Sequence, residues 1–436
     1  MRCESPCVHE VHELLPGLLC PDLWTYRGEG NANIVLSYIG SDHWATGMVL
    51  RLEKLRPSHS APTSAHIVAY ARQTSTALLG DRYVDTIALL HVTQHFLTAI
   101  STQIQPLRPS KRNSVMLDTT KSVAILMRDH SLFQLPERVI PVLATTCPME
   151  LCLELKLKWA FMPTQPAVSA AKKQACRFCR MQYLKRCHTP TYNPCLFCPL
   201  DVFSDNEERM VKGFSDLYLE RHTYMKAFVN GKLLEDLTSD AFTGHICRFM
   251  GIQDSNHAFQ QLWTLLSRIL KHNGILRSLK YHQKNLDSLD IQVLYPLLIK
   301  HNMSELLGPE ESVSWDTVVT RYLDSLKSSN DTAPDSELTS ILDIHELRQK
   351  AYEFCISTTL KDISIFITMA PKSSFYPPSD ADALFPFPTH LGEYYYKIRV
   401  ADLDIKPFSK FHKYYTQDKE IMDAFIHSGA LKTCIE

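Results

Sequence analysis

A turn with two glycines, set between short strands, restricts the fold of this chain more than any other feature. Gly28 and Gly30 precede an alternating apolar segment at residues 33–38, and residues 48–52 form a second short strand that carries Arg51. Glycine lacks a Cβ atom, so the backbone of such a turn can approach a phosphate closely, while the cation of the neighbouring strand faces the same phosphates. Plain β-hairpins share this turn and are more common. The segment therefore fits either a hairpin or a kinase-type nucleotide loop.

Length and composition set broad limits. A chain of 436 residues can bury a large core and is expected to divide into two or more lobes. Hydrophobic residues make up 45% and charged residues 21%, which is ordinary for a globular protein. No apolar run approaches the roughly 18 residues of a membrane span. The first residues do not resemble a secretory signal, and the formal net charge is −1. We therefore expect neither a nucleic-acid nor a membrane partner, and we expect a monomer.

Local charge differs from this global balance. Residues 172–186 contain six cations and no acid, and residues 108–112 contain three more cations. Clusters of this kind are usually solvated faces. In a near-neutral protein, several of them can instead converge on one strongly anionic ligand.

The cysteines indicate reduced thiols or a metal site. Thirteen cysteines without a recognisable secretory signal do not suggest a disulfide framework. Two Cys-x-x-Cys pairs are separated by fifteen residues, which is the spacing of a four-thiolate structural zinc site: Cys176 with Cys179, and Cys195 with Cys198. Cys187 and His188 lie inside the intervening loop and could replace one ligand. Alternatively, these cysteines are only buried packing residues. A zinc ribbon that binds nucleic acid is a further interpretation, and the near-neutral charge argues against it.

The order of the predicted elements indicates an α+β protein. Strands dominate residues 23–55, and further strands are predicted at residues 123–127, 151–161, 363–369 and 394–405. Helices are predicted at residues 65–79, 86–103, 207–230, 255–306 and 338–358, with loops at 327–337 and 373–388. This order fits two lobes, namely an N-terminal nucleotide-binding lobe at residues 1–128 and a larger, helix-rich C-terminal lobe at residues 129–436. A bound zinc ion would hold residues 176–198 together within the second lobe.

Six blocks of sequence carry a more specific signal. They are Arg27–Asn33 with Val49–Arg51, Glu154–Lys158, Arg177–Lys185, Cys198–Ser204, Lys361–Ile365 and Asp402–Pro407. In content and order these blocks resemble the inositol-pentakisphosphate 2-kinase family, and the resemblance runs from residue 26 to about residue 415. It implies a two-lobed inositol-polyphosphate-kinase fold, similar to that of protein kinases. It also implies that ATP, with Mg²⁺, phosphorylates the 2-hydroxyl of inositol 1,3,4,5,6-pentakisphosphate to give inositol hexakisphosphate.

The resemblance implies roles for individual residues. Asp362 would be the catalytic base, Lys156 would hold the transferred phosphate, and Asp402 would bind Mg²⁺ with Asp404 beside it. ATP contacts are implied for Gly28, Glu29, Gly30, Asn31, Asn33, Arg51, His130 and Glu154. Contacts with the inositide phosphates are implied for Arg112, Lys158, Lys185, Lys406, Lys410 and Tyr414.

The residues themselves also allow interpretations that involve no ligand. Two aspartates two positions apart at a strand end suit Mg²⁺, which prefers oxygen ligands, but they equally suit a solvated strand end. Lys406, Lys410 and Tyr414 are spaced to share one helical face, as in any exposed amphipathic helix. Five phosphates carry roughly −8 to −10 charges at neutral pH, so a pentakisphosphate explains many cations beside a metal–nucleotide site.

Some positions depart from the family pattern. Met181 stands where the family has histidine, Thr223 and Tyr224 stand where it has two asparagines, and Leu157 replaces a proline. These changes leave open a second function, namely a weakly active or inactive inositol-phosphate-binding protein on the same fold. The resemblance also implies a location in the nucleus, the cytoplasm or both.

Overall fold

The computed structural model describes residues 16–42, 45–55, 64–85, 88–134, 149–219, 224–328, 343–374, 377–388 and 392–436. Thr223, the first fifteen residues and positions 329–337 of the predicted exposed loop lie outside the described residues. Within them the protein is α+β, with two separate antiparallel sheets, which confirms the predicted class.

The first sheet has five strands in the order β1-β2-β3-β5-β4. The strands are β1 (Trp24–Glu29), β2 (Asn33–Tyr38), β3 (Met48–Glu53), β4 (Ala88–His91) and β5 (Val123–Arg128). Alternation directs Ile34, Leu36 and Leu50 into the core, where each is fully buried. The intervening residues face the other side, and Arg51 lies opposite Val35 in the β2–β3 register.

Helices flank both faces of this sheet. On the buried face, α3 (Gln94–Ile104) packs against Ile34, Leu36 and Leu50. On the face that carries Arg51, α1 (Ser64–Tyr70) packs against Ile125 and continues through a π-helical segment (Ala71–Thr76) into α2 (Ala77–Leu79). The Thr93 side chain caps α3 by accepting a hydrogen bond from the Phe96 N–H at 3.2 Å. The helix predicted over residues 86–103 is wrong in its first part, because Ala88–His91 pairs with β5 as a strand. A short apolar segment does not distinguish a helix from a strand by periodicity alone.

The second sheet has six strands in the order β10-β11-β9-β6-β7-β8. The strands are β6 (Leu151–Leu155), β7 (Met225–Val229), β8 (Lys232–Leu234), β9 (Ser364–Pro371), β10 (Ala383–Pro386) and β11 (Glu393–Ala401). Hence residues 225–229 are not helical, and the predicted loop at 373–388 contains a strand.

Two predicted strands are shorter in the structure, for one physical reason. The strand predicted over residues 151–161 ends at Leu155, and the last strand ends at Ala401. Asp402, with φ of 63°, directly follows Ala401, and Lys158, with φ of 65°, keeps the predicted residues 159–161 out of β6, because a left-handed backbone cannot continue a strand.

Twelve helices in the described residues surround the second sheet. They are α4 (Ala170–Gln174), α5 (Arg177–His188), α6 (Pro199–Val202), α7 (Glu207–Leu219), α8 (Asp240–Met250), α9 (Ser255–Asn273), α10 (Ile275–Asn285), α11 (Asp290–Lys300), α12 (Met303–Leu307), α13 (Trp315–Ser328), α14 (Ile344–Leu360) and α15 (Phe411–His427). Lys327 and Ser328, predicted as loop, therefore complete α13. In α9 the Asp254 side chain caps the first turn and Gly274, at φ of 83°, ends the helix. None of the helices in these ranges is both long and apolar enough to cross a bilayer.

The two sheets are joined through Arg27, which lies at a bulge in β1. Its guanidinium forms an ion pair with Asp129 at 2.7 Å and donates to the Ser131 hydroxyl at 2.6 Å. It also donates to the Gly231 carbonyl at 3.4 Å and lies over the Phe228 ring, 5.2 Å from its centroid. The first strand of the chain is thereby tied to the β7–β8 turn of the second sheet.

Candidate active site

Two neighbouring cavities lie where the two sheets come together. The first, of about 550 Å³, lies between the glycine turn, the exposed face of β2 and β3, and the ends of β6, β9 and β11. The second, of about 600 Å³, is lined by residues from Lys158 onward, as far as the described residues go. We call them the glycine-turn cavity and the basic cavity. Asp362 and Lys406 line both.

The glycine turn is open toward its cavity. The Gly30 N–H donates to the Asn33 carbonyl at 2.9 Å, and Lys54 Nζ donates to the Gly30 carbonyl at 2.9 Å. A Cβ atom at Gly28 or Gly30 would meet no atom within 4 Å. The turn backbone can therefore be approached by a ligand without displacing protein atoms.

Two residues of this region have different partners from those the sequence implies. The carboxylate of Glu29, expected to contact ATP, is 1% exposed and forms buried ion pairs with Lys54 and with Arg108, the latter at 2.9 Å. Although burial raises it, these two cations hold the pKa of Glu29 below its usual value. Arg112, expected to contact inositide phosphates, lines the glycine-turn cavity and donates to the Asn31 side chain. The ion pairs of Glu29 therefore fix the glycine turn from beneath. Arg112 does not line the basic cavity.

His130 lies in the apolar part of the glycine-turn cavity. Its ring packs edge-on against Phe366 at 5.6 Å, and its Nε2 atom is buried with no hydrogen-bond partner in the part of the chain that the structure describes. Burial, and then the charges of Lys397 and Arg399, lower the pKa of His130 to about 3, so the ring is neutral at physiological pH. With Val35, Ile125 and Phe366 it forms a wall that suits a flat heteroaromatic base.

Carboxylates and cations alternate across the floor of the same cavity. Lys156 Nζ lies 2.5 Å from Asp402 Oδ2, and Arg51 forms an ion pair with Asp404. The Ser364 hydroxyl bridges Glu154 and Asp402, at 2.9 Å from each. Burial raises the pKa of Asp402, but Lys156 and Arg51 hold it below its usual value, so the carboxylate is ionised. Asp404 Oδ1 is buried and has no hydrogen-bond partner among the described residues, which leaves one oxygen for a ligand.

The basic cavity is lined by nine cations and four carboxylates. The cations are Lys158, Lys172, Arg177, Arg180, Lys185, Lys361, Lys406, Lys410 and Lys413. Some are neutralised by buried partners: Lys361 pairs with Asp287 at 2.6 Å, and Lys172 lies 2.7 Å from Asp418. Burial raises the pKa of Asp287 to about 6 in spite of Lys361. The remaining lysines line the mouth of the cavity and suit a ligand with several negative charges.

Asp362 occupies the junction of the two cavities. Its Oδ1 lies 2.7 Å from Lys158 Nζ and its Oδ2 lies 2.8 Å from Lys406 Nζ. Burial raises the pKa of Asp362, but the charges of Lys406 and Lys158 outweigh it and hold the pKa well below its usual value. A carboxylate held ionised between two cavities is placed to accept a proton from a group lying in either one.

Lys406, Lys410 and Tyr414 do not all lie on one helix, although their spacing predicted that they would. Lys406 precedes the helix, Lys410 is the residue before α15 begins, and Tyr414 lies in its first turn. All three nevertheless line the basic cavity, as do Lys158 and Lys185. The three side chains therefore meet in the basic cavity because of the path of the segment before α15 as well as because of helical spacing.

Four cysteines come together beside α5. They are Cys176, Cys179, Cys198 and Cys434, whose sulfurs all lie within 4.8 Å of one another. Cys195, the predicted fourth ligand, instead directs its thiol toward the Phe197 carbonyl, and Cys187 and His188 are exposed. The prediction is thus wrong for Cys195, because the chain returns to this point 236 residues after Cys198.

The Cys176–Cys198 and Cys198–Cys434 sulfurs are 3.9 and 3.8 Å apart. A tetrahedral site with Zn–S bonds of about 2.3 Å has sulfur–sulfur edges of about 3.8 Å. A disulfide would need about 2.05 Å. The four thiols therefore fit a closed zinc site.

Sequence reasoning did not assign a role to four other participants. Ser364 lies two positions after Asp362, and this period of two was the available signal, because strand residues two apart share a face. Arg27 and Asp129 join the sheets, and no local pattern marks their pairing. Lys226 pairs with Glu154 at 2.8 Å across the β6–β7 register.

Comparisons with known proteins add an independent result. Residues 26–420 match the sequence profile of inositol-pentakisphosphate 2-kinases. A protein of that name from Arabidopsis thaliana is 25% identical, over 92% of this chain and 93% of its own length. A protein of that name from Oryza sativa subsp. indica is 26% identical, over 93% and 94%. One from Danio rerio is 25% identical, over 93% of each chain.

Proposed function

Because the chain belongs to the inositol-pentakisphosphate 2-kinase family, we propose that it transfers the γ-phosphoryl group of ATP to the 2-hydroxyl of inositol 1,3,4,5,6-pentakisphosphate. The products are inositol hexakisphosphate and ADP. One observation carries the proposal: Asp362 and Lys406 line both the glycine-turn cavity and the basic cavity. A donor in the first cavity and an acceptor in the second would meet at Asp362.

The same arrangement supports a division into two lobes. Residues 1–128 form the nucleotide lobe with the first sheet, and residues 129–436 form the lobe that holds the acceptor and the metal. The support is that strands of both sheets line the glycine-turn cavity, whereas only the second part of the chain lines the basic cavity. ATP lies against the glycine turn, with its base toward His130 and its phosphates toward Arg51 and Lys156.

The acceptor reaction begins with an exchange of ion-pair partners. Lys158 and Lys406 are bound to Asp362 in the free protein, at 2.7 and 2.8 Å. The phosphates of the inositide carry more charge than one carboxylate and attract both ammonium groups. Asp362 is then free to accept a hydrogen bond from the acceptor hydroxyl and to take its proton as the hydroxyl attacks. Asp362 and the acceptor phosphates thus compete for the same two lysines, so the base is released when the acceptor is bound.

The donor side supplies charge neutralisation. Asp402 and Asp404 are the residues that would hold Mg²⁺, and the fit rests on the unpaired buried Oδ1 of Asp404 and the ionised carboxylate of Asp402. When bound, Mg²⁺ neutralises the charge of the nucleotide phosphates. Lys156, paired with Asp402 in the free protein, is within reach of the transferred phosphate. The left-handed backbone of Asp402 is a strained conformation of the kind that accumulates at functional sites.

We also propose that Cys176, Cys179, Cys198 and Cys434 bind one structural Zn²⁺. Cys176 caps the N-terminus of α5, the helix that carries Arg177 and Lys185 into the basic cavity. Four protein ligands complete a tetrahedral shell, so the site has no open position for catalysis. The metal would fix one wall of the acceptor cavity.

A second function is favoured by one observation. Met181 and Tyr224, which depart from the family pattern, both line the basic cavity. A protein with altered acceptor contacts could bind inositol phosphates and transfer phosphate poorly or not at all.

The decisive experiment is incubation of the protein with ATP, Mg²⁺ and a panel of inositol phosphates, with products identified by ³¹P NMR. The proposal expects conversion of the pentakisphosphate to the hexakisphosphate, abolished in Asp362→Asn. Binding of the pentakisphosphate by calorimetry, without any ATP-dependent product, would instead establish the binding protein. The absence of both product and binding would refute both functions.

We place the enzyme in the nucleus, the cytoplasm or both, as a monomer without a nucleic-acid or membrane partner. The near-neutral net charge supports the absence of a nucleic-acid or anionic-membrane partner. Cell fractionation and light scattering of the purified protein test these statements.

A further inference from the structure

Tyr224 stands between two lysines of the basic cavity. Lys158 Nζ lies 5.8 Å and Lys185 Nζ lies 5.7 Å from the centroid of its ring. Lys185 Nζ also donates to the Tyr224 hydroxyl at 3.4 Å. The two lysines come from different elements, a loop after β6 and helix α5, and this ring is in contact with both.

The ring itself is firmly placed. Phe178 of α5 packs edge-on against it, with centroids 5.2 Å apart. The Tyr224 carbonyl accepts a hydrogen bond from the Lys156 N–H at 2.8 Å, which ties Tyr224 to the segment that carries Lys156 and Lys158. Burial raises the pKa of Tyr224, so the phenol is neutral and able to donate a hydrogen bond.

An aromatic ring restrains a cation differently from a carboxylate. The ring quadrupole attracts an ammonium group within about 6 Å but does not cancel its charge. Lys185 has no carboxylate within ion-pair distance among the residues described here, and its other aromatic neighbour is Tyr192 at 5.4 Å. Tyr224 can therefore hold both lysines in place without cancelling their charge, so Lys185, and Lys158 once it leaves Asp362, remain able to bind a phosphate.

We propose that Tyr224 is a specificity-determining residue, which positions Lys158 and Lys185 as one phosphate-binding pair. The inference rests on the proposed function for the identity of the acceptor. Its consequence is that the protein discriminates most strongly against inositides lacking the phosphate that lies against Tyr224. Removing the ring should weaken the binding of that one phosphate more than the binding of the others.

The test uses three variants. Tyr224→Leu removes the ring and hydroxyl, Tyr224→Phe removes only the hydroxyl, and Tyr192→Leu is the matched control because Tyr192 contacts Lys185 but does not line the cavity. Each is compared with the wild type by calorimetric Kd for the pentakisphosphate and for the five tetrakisphosphates that lack one of its phosphates. KM for the pentakisphosphate, KM for ATP and kcat are measured in parallel. Thermal unfolding shows whether each variant folds.

We expect Tyr224→Leu to raise Kd and KM for the pentakisphosphate about tenfold, which corresponds to about 1.4 kcal/mol. Tyr224→Phe should change them about twofold, Tyr192→Leu less than that, and KM for ATP should not change. In the wild type, one tetrakisphosphate should bind more weakly than the other four. In Tyr224→Leu the Kd of this compound should approach that of the pentakisphosphate, whereas the other four tetrakisphosphates should remain weaker than the pentakisphosphate by the same factors as in the wild type.

A uniform loss for all six inositides, or no loss, would overturn the proposal. If Tyr224→Leu does not fold, the same selective change at reduced size is required of Tyr224→Phe. Calorimetry separates this outcome from failure of the proposed function. A wild type without kinase activity that shows the selective Kd pattern would refute the reaction but not the role of Tyr224.

Discussion

Replacement of Cys434 by serine should strongly weaken zinc binding, whereas replacement of Cys195 should not. The two cysteines are a matched pair, because sequence spacing predicts Cys195 as the fourth zinc ligand, whereas the fold places Cys434 in that position. Cys434 Sγ lies 3.8 Å from Cys198 Sγ, the edge of a tetrahedral thiolate site. Cys195 is half-buried outside the cluster, so Cys195→Ser leaves all four ligands in place.

The size of the effect follows from the number of ligands. Structural zinc sites contribute about 10–16 kcal/mol of apparent binding free energy, and an even division among four ligands assigns roughly 2.5–4 kcal/mol to each. Losing one thiolate therefore weakens zinc binding by roughly 10²–10³-fold. Cys434→Ser also leaves the Cys434 N–H bound to the Gln174 carbonyl at 3.0 Å, so the backbone contact of the tail is retained.

The measurement is elemental analysis of both variants and the wild type, purified without added metal, followed by thermal unfolding with and without a chelator. The wild type and Cys195→Ser should carry one zinc per chain and lose stability on chelation. Cys434→Ser should carry little zinc and be insensitive to the chelator. Zinc retained in Cys434→Ser, or lost in Cys195→Ser, would contradict the ligand set. Less than about half an equivalent in the wild type would eliminate the site itself.

Three further predictions follow from the two cavities. Asp362→Asn should lower the single-turnover rate by about 10²–10⁴ while leaving KM for ATP within twofold, and a rate near that of the wild type would remove Asp362 as the base. Lys410→Ala should raise KM for the pentakisphosphate by roughly tenfold to a hundredfold, the loss expected for a charged hydrogen bond, and a larger effect on ATP would contradict its assignment. His130 has a folded pKa of about 3 against 6.5 unfolded, so its contribution to stability is complete above pH 6.5 and is lost as pH falls toward 3. At pH 5 the loss is about 2 kcal/mol, and chemical unfolding of His130→Gln should show a correspondingly smaller drop in stability between pH 7 and pH 5; an unchanged drop would disprove this cause.

Local sequence was sufficient for the features that depend on neighbours along the chain. The glycine turn and strands β1 to β3 follow from spacing and residue type within a few positions. The pairing of Cys176 with Cys179 across one helical turn is of the same kind. The identity of the family followed from ordered blocks, each short enough to be read without knowing the fold.

Tertiary structure decided which distant groups meet. Cys434 replaces Cys195 because the C-terminal segment returns to α5, and ligand spacing carries no information about that path. The carboxylate of Glu29 is held by Arg108, which lies 79 residues later in the chain, and no local pattern marks that pairing. Asp362 lies between Lys158 and Lys406 only once β9, the loop after β6 and the segment before α15 have been brought together. Local pattern encodes which backbone a segment adopts, whereas the partner of a buried charge or thiol is selected by packing across the whole chain, since each such group must find its counterpart when it leaves water.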